Sequence, residues 1–404
     1  MRKQTKQPVS LRELGKLSID DIAREAQVCG AIDLALGCPD QDLEPSIRSA
    51  GIEAMRGGFD QYEDTRGLRS LREAVVDKIC RQRGIKVNPE SEITITSGAA
   101  EALAASLLSV VRAHDEVVTF EPYYELYLPV VKLCGATLRS VRLREPGWEI
   151  NEDELANAFT NRTVAVLLNT PHNPTGKVFT IQELQNVAHY CQKFGVICIA
   201  DEVYEHFVFD EAHHVSISKL EGMADRTVVI SSMSKTYSAS GWRIGFAIAP
   251  EHLSSAIREK HELLSGGAPT PLQAAAVTAF QMPDSFYDAL RLDYQGRRDY
   301  LGHALSSLGF VHSVAQGGFY IFSNIRSLAE GDSQQFTLRL MKEAGVASVP
   351  GGCFYSEPML GRSQVRFCFA KTAATLEAAS RAISRWLNRK FSDTALVTAG
   401  VNDT

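Results

Sequence analysis

V-I-C-I-A-D-E-V-Y-E-H, residues 196–206, is an apolar run rich in β-branched side chains that stops on a carboxylate, Asp201. Such a run reads as a strand buried on both faces, the kind found in a parallel sheet covered by helices. Similar runs stand at Ile93–Thr96, Val117–Phe120, Val164–Leu168, Val228–Ser231 and Ile244–Ile248. Helical patterns at Glu101–Val111, Ile181–Lys193 and Glu251–Leu264 separate most of them. The alternation predicts an α/β fold with a mostly parallel sheet between helices. Beyond a long helical pattern at Arg291–Leu308 the character changes to a smaller α+β mixture, with strands at Gly318–Ser323 and Val365–Ala370 and helices at Gln334–Ala344 and Ala374–Asn388.

The expected organisation is an N-terminal segment over 1–45 packed on the small domain, a large domain over 46–290, a small C-terminal domain over 291–390, and a frayed tail over 391–404. S-I-D-D-I-A-R-E-A-Q, residues 18–27, reads as a capped amphipathic turn within the first segment. At 404 residues the chain is too long for one ordinary core. A net charge of −6 leaves no basic excess to drive binding to a phosphate backbone, so no nucleic-acid partner is expected. No apolar stretch is long enough to span a bilayer, and M-R-K-Q-T-K-Q at the N-terminus is followed by no apolar leader region, so no membrane partner is expected either. The eight cysteines are scattered without a C-x-x-C pair. They read as reduced core residues of a cytoplasmic protein, with no disulfide framework and no metal site.

Four strand ends carry chemistry. T-S-G-A-A-E-A-L, residues 96–103, opens a helix with small residues, leaving backbone N–H groups free to hold a phosphate. N-T-P-H-N-P-T-G, residues 169–176, fixes a turn that presents Asn173. Asp201 ends the run quoted first, where open α/β sheets bind ligands, although a carboxylate there also serves as an ordinary helix cap. S-S-M-S-K-T-Y-S-A-S-G-W-R-I-G, residues 231–245, sets Lys235 among small hydroxyl residues with Arg243 beyond it. Asn173, Asp201 and Lys235 follow at intervals of 28 and 34 residues, each about one α/β unit. An anion cradle, an amide, an acid and an amine match the needs of pyridoxal 5′-phosphate: an amine for the Schiff base, an acid to keep the ring nitrogen protonated, and a phosphate site.

At this point the chain resembles the fold-type I, class I/II aminotransferases from about Ile32 to Trp386, and within them the kynurenine/glutamine/methionine branch. The resemblance is carried by Gln61–Tyr62 followed by G-L-R-S-L-R-E-A, by S-G-A-A-E-A-L, E-P-Y-Y-E-L-Y, N-T-P-H-N-P-T-G, D-E-V-Y-E-H, S-K-T-Y-S-A-S-G-W-R-I-G and V-R-F-C-F-A-K. It implies a large domain with a seven-stranded, mostly parallel sheet, and a ping-pong transfer of the α-amino group of an L-amino acid to a 2-oxo acid. It further implies that Lys235 holds the cofactor covalently and shuttles the proton, that Asp201 pairs with the pyridinium nitrogen, and that Asn173 and Tyr204 hydrogen-bond the phenolic oxygen. Ala99, Ala100, Ser232 and Arg243 would hold the phosphate, and Tyr124 would stack on the ring. Tyr62 would reach the phosphate of a neighbouring subunit, which implies a homodimer with its active sites at the interface. Arg366 would clamp the substrate carboxylate, assisted by Asn173 and the backbone of Gly37.

Competing readings remain at two of these positions. Tyr124 sits in an aromatic cluster with Tyr123 and Tyr127 that also fits ordinary core, and Arg366 on an apolar strand also fits a structural salt bridge. L-A-L-G-C-P-D, residues 34–40, departs from the branch's G-Q-G-F-P-D pattern, with Leu36 for Gln and Cys38 for Phe. L-S-G-G-A-P-T-P, residues 264–271, is likewise small where larger residues are usual. Less bulk beside Cys38 predicts a substrate larger or more polar than kynurenine or methionine, of a kind used in specialised biosynthesis. Elimination, replacement or oxidase chemistry on the same cofactor is the nearest alternative. A cofactor-binding transcriptional regulator is disfavoured, because about 30 residues ahead of the fold are too few for a DNA-binding domain.

Overall fold

Eight strands form the main sheet of the computed structural model, which describes residues 18–329 and 331–399. In chain order the strands are β1 (Ile32–Asp33), β2 (Ile93–Thr96), β3 (Glu116–Glu121), β4 (Thr137–Arg144), β5 (Glu149–Ile150), β6 (Thr163–Asn169), β7 (Ile197–Asp201), β8 (Thr227–Ser232), β9 (Gly245–Ile248), β10 (Tyr320–Asn324), β11 (Val346–Ala347), β12 (Val349–Pro350) and β13 (Gln364–Cys368). The main sheet runs β2-β9-β8-β7-β6-β3-β4-β5. β4, β3, β6, β7 and β8 pair in parallel, and β9 runs antiparallel to both β8 and β2. The seven strands expected are present, and the two-residue β5 adds an eighth at the edge.

The strands alternate between two buried faces, as a period of two requires. Val166, Leu168, Cys198 and Ala200 enter a core with the helix Ile181–Phe194, whereas Ala165, Leu167, Ile199 and Ile230 enter a second with the helices Ala99–Val110 and Glu251–Ser265. A separate antiparallel sheet, β10-β13-β12, packs with the helices Asp284–Ser307 and Ala373–Ala399.

The turn expected at 18–27 is a full helix, Ile19–Cys29, started by a capping box between Ser18 and Asp21 and stopped by Gly30 in the left-handed region. Directly after it β1 pairs in parallel with β11, so the two ends of the chain share a two-stranded sheet. The first 17 residues of the expected N-terminal segment lie outside the described residues. The last helix does not stop at Asn388 but runs to Ala399, through most of the segment read as a tail. No glycine or proline interrupts 389–399, so nothing in the sequence ends the helix before Gly400.

Candidate active site

The C-terminal ends of β6, β7 and β8 open on one cavity of about 210 Å³. Their register sets Asn169 beside Asp201, so the turn after β6 and the acid ending β7 share one edge. Asn173, Asp201, Tyr204, Ser232, Lys235 and Arg243 all line the cavity. Gly37 and Cys38 line it from the loop after β1, Ala99 and Ala100 from a helix start, Tyr124 from the turn after β3, and Arg366 from β13. Tyr62 alone of the expected residues does not reach it, and its side chain is 89% exposed.

The anion cradle is built by close backbone approach. Ala102 N–H is the first to bond back to the Gly98 carbonyl, which leaves the N–H groups of Ala99 and Ala100 ahead of the helical ladder. Gly98 has φ +86°, and a Cβ there would meet the Arg243 guanidinium at 2.2 Å. Only glycine lets that guanidinium lie against the helix start, where it donates to the Ser97 carbonyl at 3.2 Å and to the Ser240 carbonyl at 2.9 Å.

Asp201 accepts a 2.8 Å hydrogen bond from the Tyr127 hydroxyl, and its backbone carbonyl accepts from Asn169 Nδ2. Burial pushes its carboxyl up to about 6, against the opposing pull of Tyr127, the Val203 N–H and Lys235. A folded-state value above that of the unfolded chain means that ionised Asp201 weakens the fold as pH rises through about 6, and that protonated Asp201 at pH 4 does not. The cofactor-free Asp201→Asn variant should therefore melt above the wild type at pH 7.5 and level with it at pH 4. An equal difference at both pH values in a thermal melt would contradict this.

Lys235 Nζ donates to the Gly37 carbonyl at 2.8 Å, and burial holds its amine below the usual lysine range. Arg366 is 1% exposed. It donates to Asn173 Oδ1 at 2.8 Å and to the Ala35 carbonyl at 2.7 Å, while its Nε has no partner. Among the described residues no carboxylate lies within ion-pair distance of it, so the salt bridge that competed at this position is absent. Its guanidinium instead lies 4.1 Å from the Tyr320 ring centroid and 4.8 Å from that of Phe354. A buried, uncompensated cation with a free donor fits an anion that arrives from solution.

Sequence reading missed several contributors. Tyr320 lines the cavity from β10 and touches Tyr204 and Arg366. Tyr127, read as a member of an aromatic cluster, holds Asp201. Ile19 and Asp20 come from the N-terminal helix, too far along the chain for any local motif to link them to the site.

These residues fit pyridoxal phosphate. They offer a buried amine held below the usual lysine range, a buried acid that is in no ion pair among the described residues, and a helix start beside a guanidinium for the phosphate. The comparisons agree. The family described as "Aminotransferase class I and II" matches residues 30–383. A probable N-succinyldiaminopimelate aminotransferase of Mycobacterium tuberculosis is 37% identical, the match covering 88% of this chain and 92% of the relative. The methionine aminotransferase of Escherichia coli is 32% identical over 92% of this chain and 96% of its own. The solved structure of N-succinyldiaminopimelate aminotransferase from Mycobacterium tuberculosis superposes with a TM-score of 0.91 at 36% identity, covering 94% of this chain and all of that one. The chain belongs to the class I and II aminotransferases, pyridoxal-phosphate-dependent enzymes of fold type I that transaminate amino acids.

Proposed function

We propose that the cavity holds both cofactor and substrate, and that transamination here uses Lys235 as base and acid, Asp201 and Tyr204 as cofactor partners, and Arg366 as the carboxylate clamp. The observation that carries this reading is the buried Arg366, with no acidic partner among the described residues, in the same cavity as the buried amine of Lys235. Pyridoxal phosphate, when bound, supplies an electron sink for the substrate α-carbon. Arg366 orients the amino acid by its carboxylate, and Asn173, whose Oδ1 already accepts from Arg366, keeps Nδ2 for a second contact. Lys235, whose amine burial holds below the usual lysine range, would take the proton from the substrate α-carbon and return it on the cofactor side of the exchange. Ala99, Ala100, Ser232 and Arg243 hold the phosphate, and Tyr124 covers the ring.

The division into an N-terminal segment, a large cofactor domain over 46–290 and a small domain over 291–390 is part of the same proposal. So is a homodimer in which Tyr62 reaches the neighbouring site. Its support is the exposure of Tyr62, Met55, Ile52, Leu263 and Leu264, and the loop of Tyr62 is tied to the helix Thr270–Phe280 by the Thr270 hydroxyl, which donates to the Gln61 carbonyl. Cytoplasmic location is supported by the eight free cysteines. Leu36 and Cys38 on the cavity wall support a substrate larger or more polar than methionine or kynurenine, and a role in specialised biosynthesis is part of the same proposal.

The test is Arg366→Lys. Loss of one charge-assisted hydrogen bond, worth about 1.5–3 kcal/mol, should lower kcat/KM for the amino acid about 10- to 150-fold. The absorbance of the bound cofactor should stay as it is. An unchanged kcat/KM would overturn the assignment of Arg366.

A further inference from the structure

We infer that Tyr320 is a positioning residue for Tyr204, donating to its hydroxyl and so strengthening the hydrogen bond that Tyr204 makes to the cofactor's phenolic oxygen. The inference rests on the role proposed above for Tyr204. Four contacts place Tyr320. Its hydroxyl lies 3.1 Å from that of Tyr204, and both side chains are buried. The two rings meet edge to face at 5.9 Å. Its ring lies under the Arg366 guanidinium. Its hydroxyl packs on Gly37, where a Cβ would come within 1.9 Å of it, and the Gly37 carbonyl is the acceptor for Lys235.

One side chain therefore touches three groups proposed to act on cofactor or substrate. Burial raises the pKa of both tyrosines, so both hydroxyls stay protonated through the working range and each carries a proton to donate. With two hydroxyls and one outward acceptor, the arrangement that satisfies both runs from Tyr320 to Tyr204 to the phenolic oxygen. Hydrogen bonds in such a chain polarise one another. A stronger donor at the phenolic oxygen lowers the pH at which the lysine-linked cofactor loses its proton. The charged or titratable neighbours are Arg366, Cys38 and Cys368 around Tyr320, and Asp201 and Tyr124 around Tyr204. All of them are left in place by a Tyr320→Phe change.

The experiment titrates the visible absorbance band of the holoenzyme in wild type, Tyr320→Phe, Tyr204→Phe and the double variant. Tyr204→Phe should raise the midpoint. Tyr320→Phe should raise it by a few tenths of a unit, in keeping with strengthening of roughly 10–30% per bond in a chain. The double variant should titrate with Tyr204→Phe alone, because Tyr320 acts only through Tyr204. In Tyr320→Phe the ring under Arg366 is kept, so KM for the amino acid should hold, whereas Tyr320→Leu should raise it. A shift in Tyr204→Phe with none in Tyr320→Phe, or additive shifts in the double variant, would overturn the inference and leave the role of Tyr204 standing. No shift in Tyr204→Phe would overturn that role, and the inference with it.

Discussion

Replacing Lys235 with alanine should stop turnover while leaving the fold intact. A positioned acid–base group contributes about 10²–10⁴-fold by proton transfer alone, and Lys235 also provides the covalent link, so a loss at the upper end or beyond is expected. Among the described residues no other lysine or histidine lines the cavity, which leaves no second amine or imidazole to replace it. Lys235 sits in a short helix, Met233–Thr236, whose cap is Ser232 and not the lysine itself, so the truncation removes no structural bond but the one to the Gly37 carbonyl. The cofactor should still bind, more weakly, through the helix start and Arg243. Release of oxo acid from an amino donor, followed in a single turnover, measures the effect. Wild-type rates in the alanine variant would remove Lys235 from the chemistry.

The second large effect lies behind the site. In D-E-V-Y-E, Asp201 and Tyr204 face the cavity, while Glu202 and Glu205 enter a buried cluster. Arg83 reaches Glu202 Oε2 at 2.7 Å and also bonds Glu205, which in turn accepts from Lys78 at 2.8 Å. His214 and the Ser216 hydroxyl complete the shell of Glu202 at 3.0 and 2.6 Å. Burial alone would raise the Glu202 carboxyl, yet Arg83, His214 and Ser216 hold it down to about 2. Arg83→Met removes the one partner shared by both carboxylates, and breaking a buried pair this way costs about 3–5 kcal/mol. A depressed carboxyl contributes stability that is present above the ordinary glutamate range and is lost as pH falls toward 2. The difference between variant and wild type in a urea melt should therefore hold from pH 7 to about pH 5 and shrink only below the ordinary glutamate range, toward pH 2. A loss below about 1 kcal/mol at pH 7, the range of an exposed pair, would show that the cluster is not acting as a buried network.

Much of this was legible in the chain because the signals were local. The strands expected at Val117–Phe120, Val164–Leu168 and Val228–Ser231 lie inside β3, β6 and β8, where both faces are buried and the run is mostly apolar. β4 was not legible. T-L-R-S-V-R-L-R carries three arginines in eight residues, and the strand survives because Val141 and Leu143 face the core while Arg142 and Arg144 face outward near the sheet edge. The cofactor half of the cavity came from strand ends, each with its own motif. The rest came from distant segments: Tyr320 is 116 residues from Tyr204, and Ile19 is 106 from Glu125, to which its N–H donates. Contacts of that separation are set by how the N-terminal helix and the C-terminal sheet pack against the large sheet's end of the cavity, and no local pattern encodes them.

The most direct test of the central claim is one half-reaction. Holoenzyme is mixed with single L-amino acids from a panel that includes methionine, kynurenine and longer polar side chains, with no oxo acid added. Transamination predicts, for the true donor, one oxo acid released per active site, no ammonia, and a cofactor band that shifts once and stays until an oxo acid is supplied. Sustained release of oxo acid with ammonia would contradict it and show that the same residues serve elimination or oxidation.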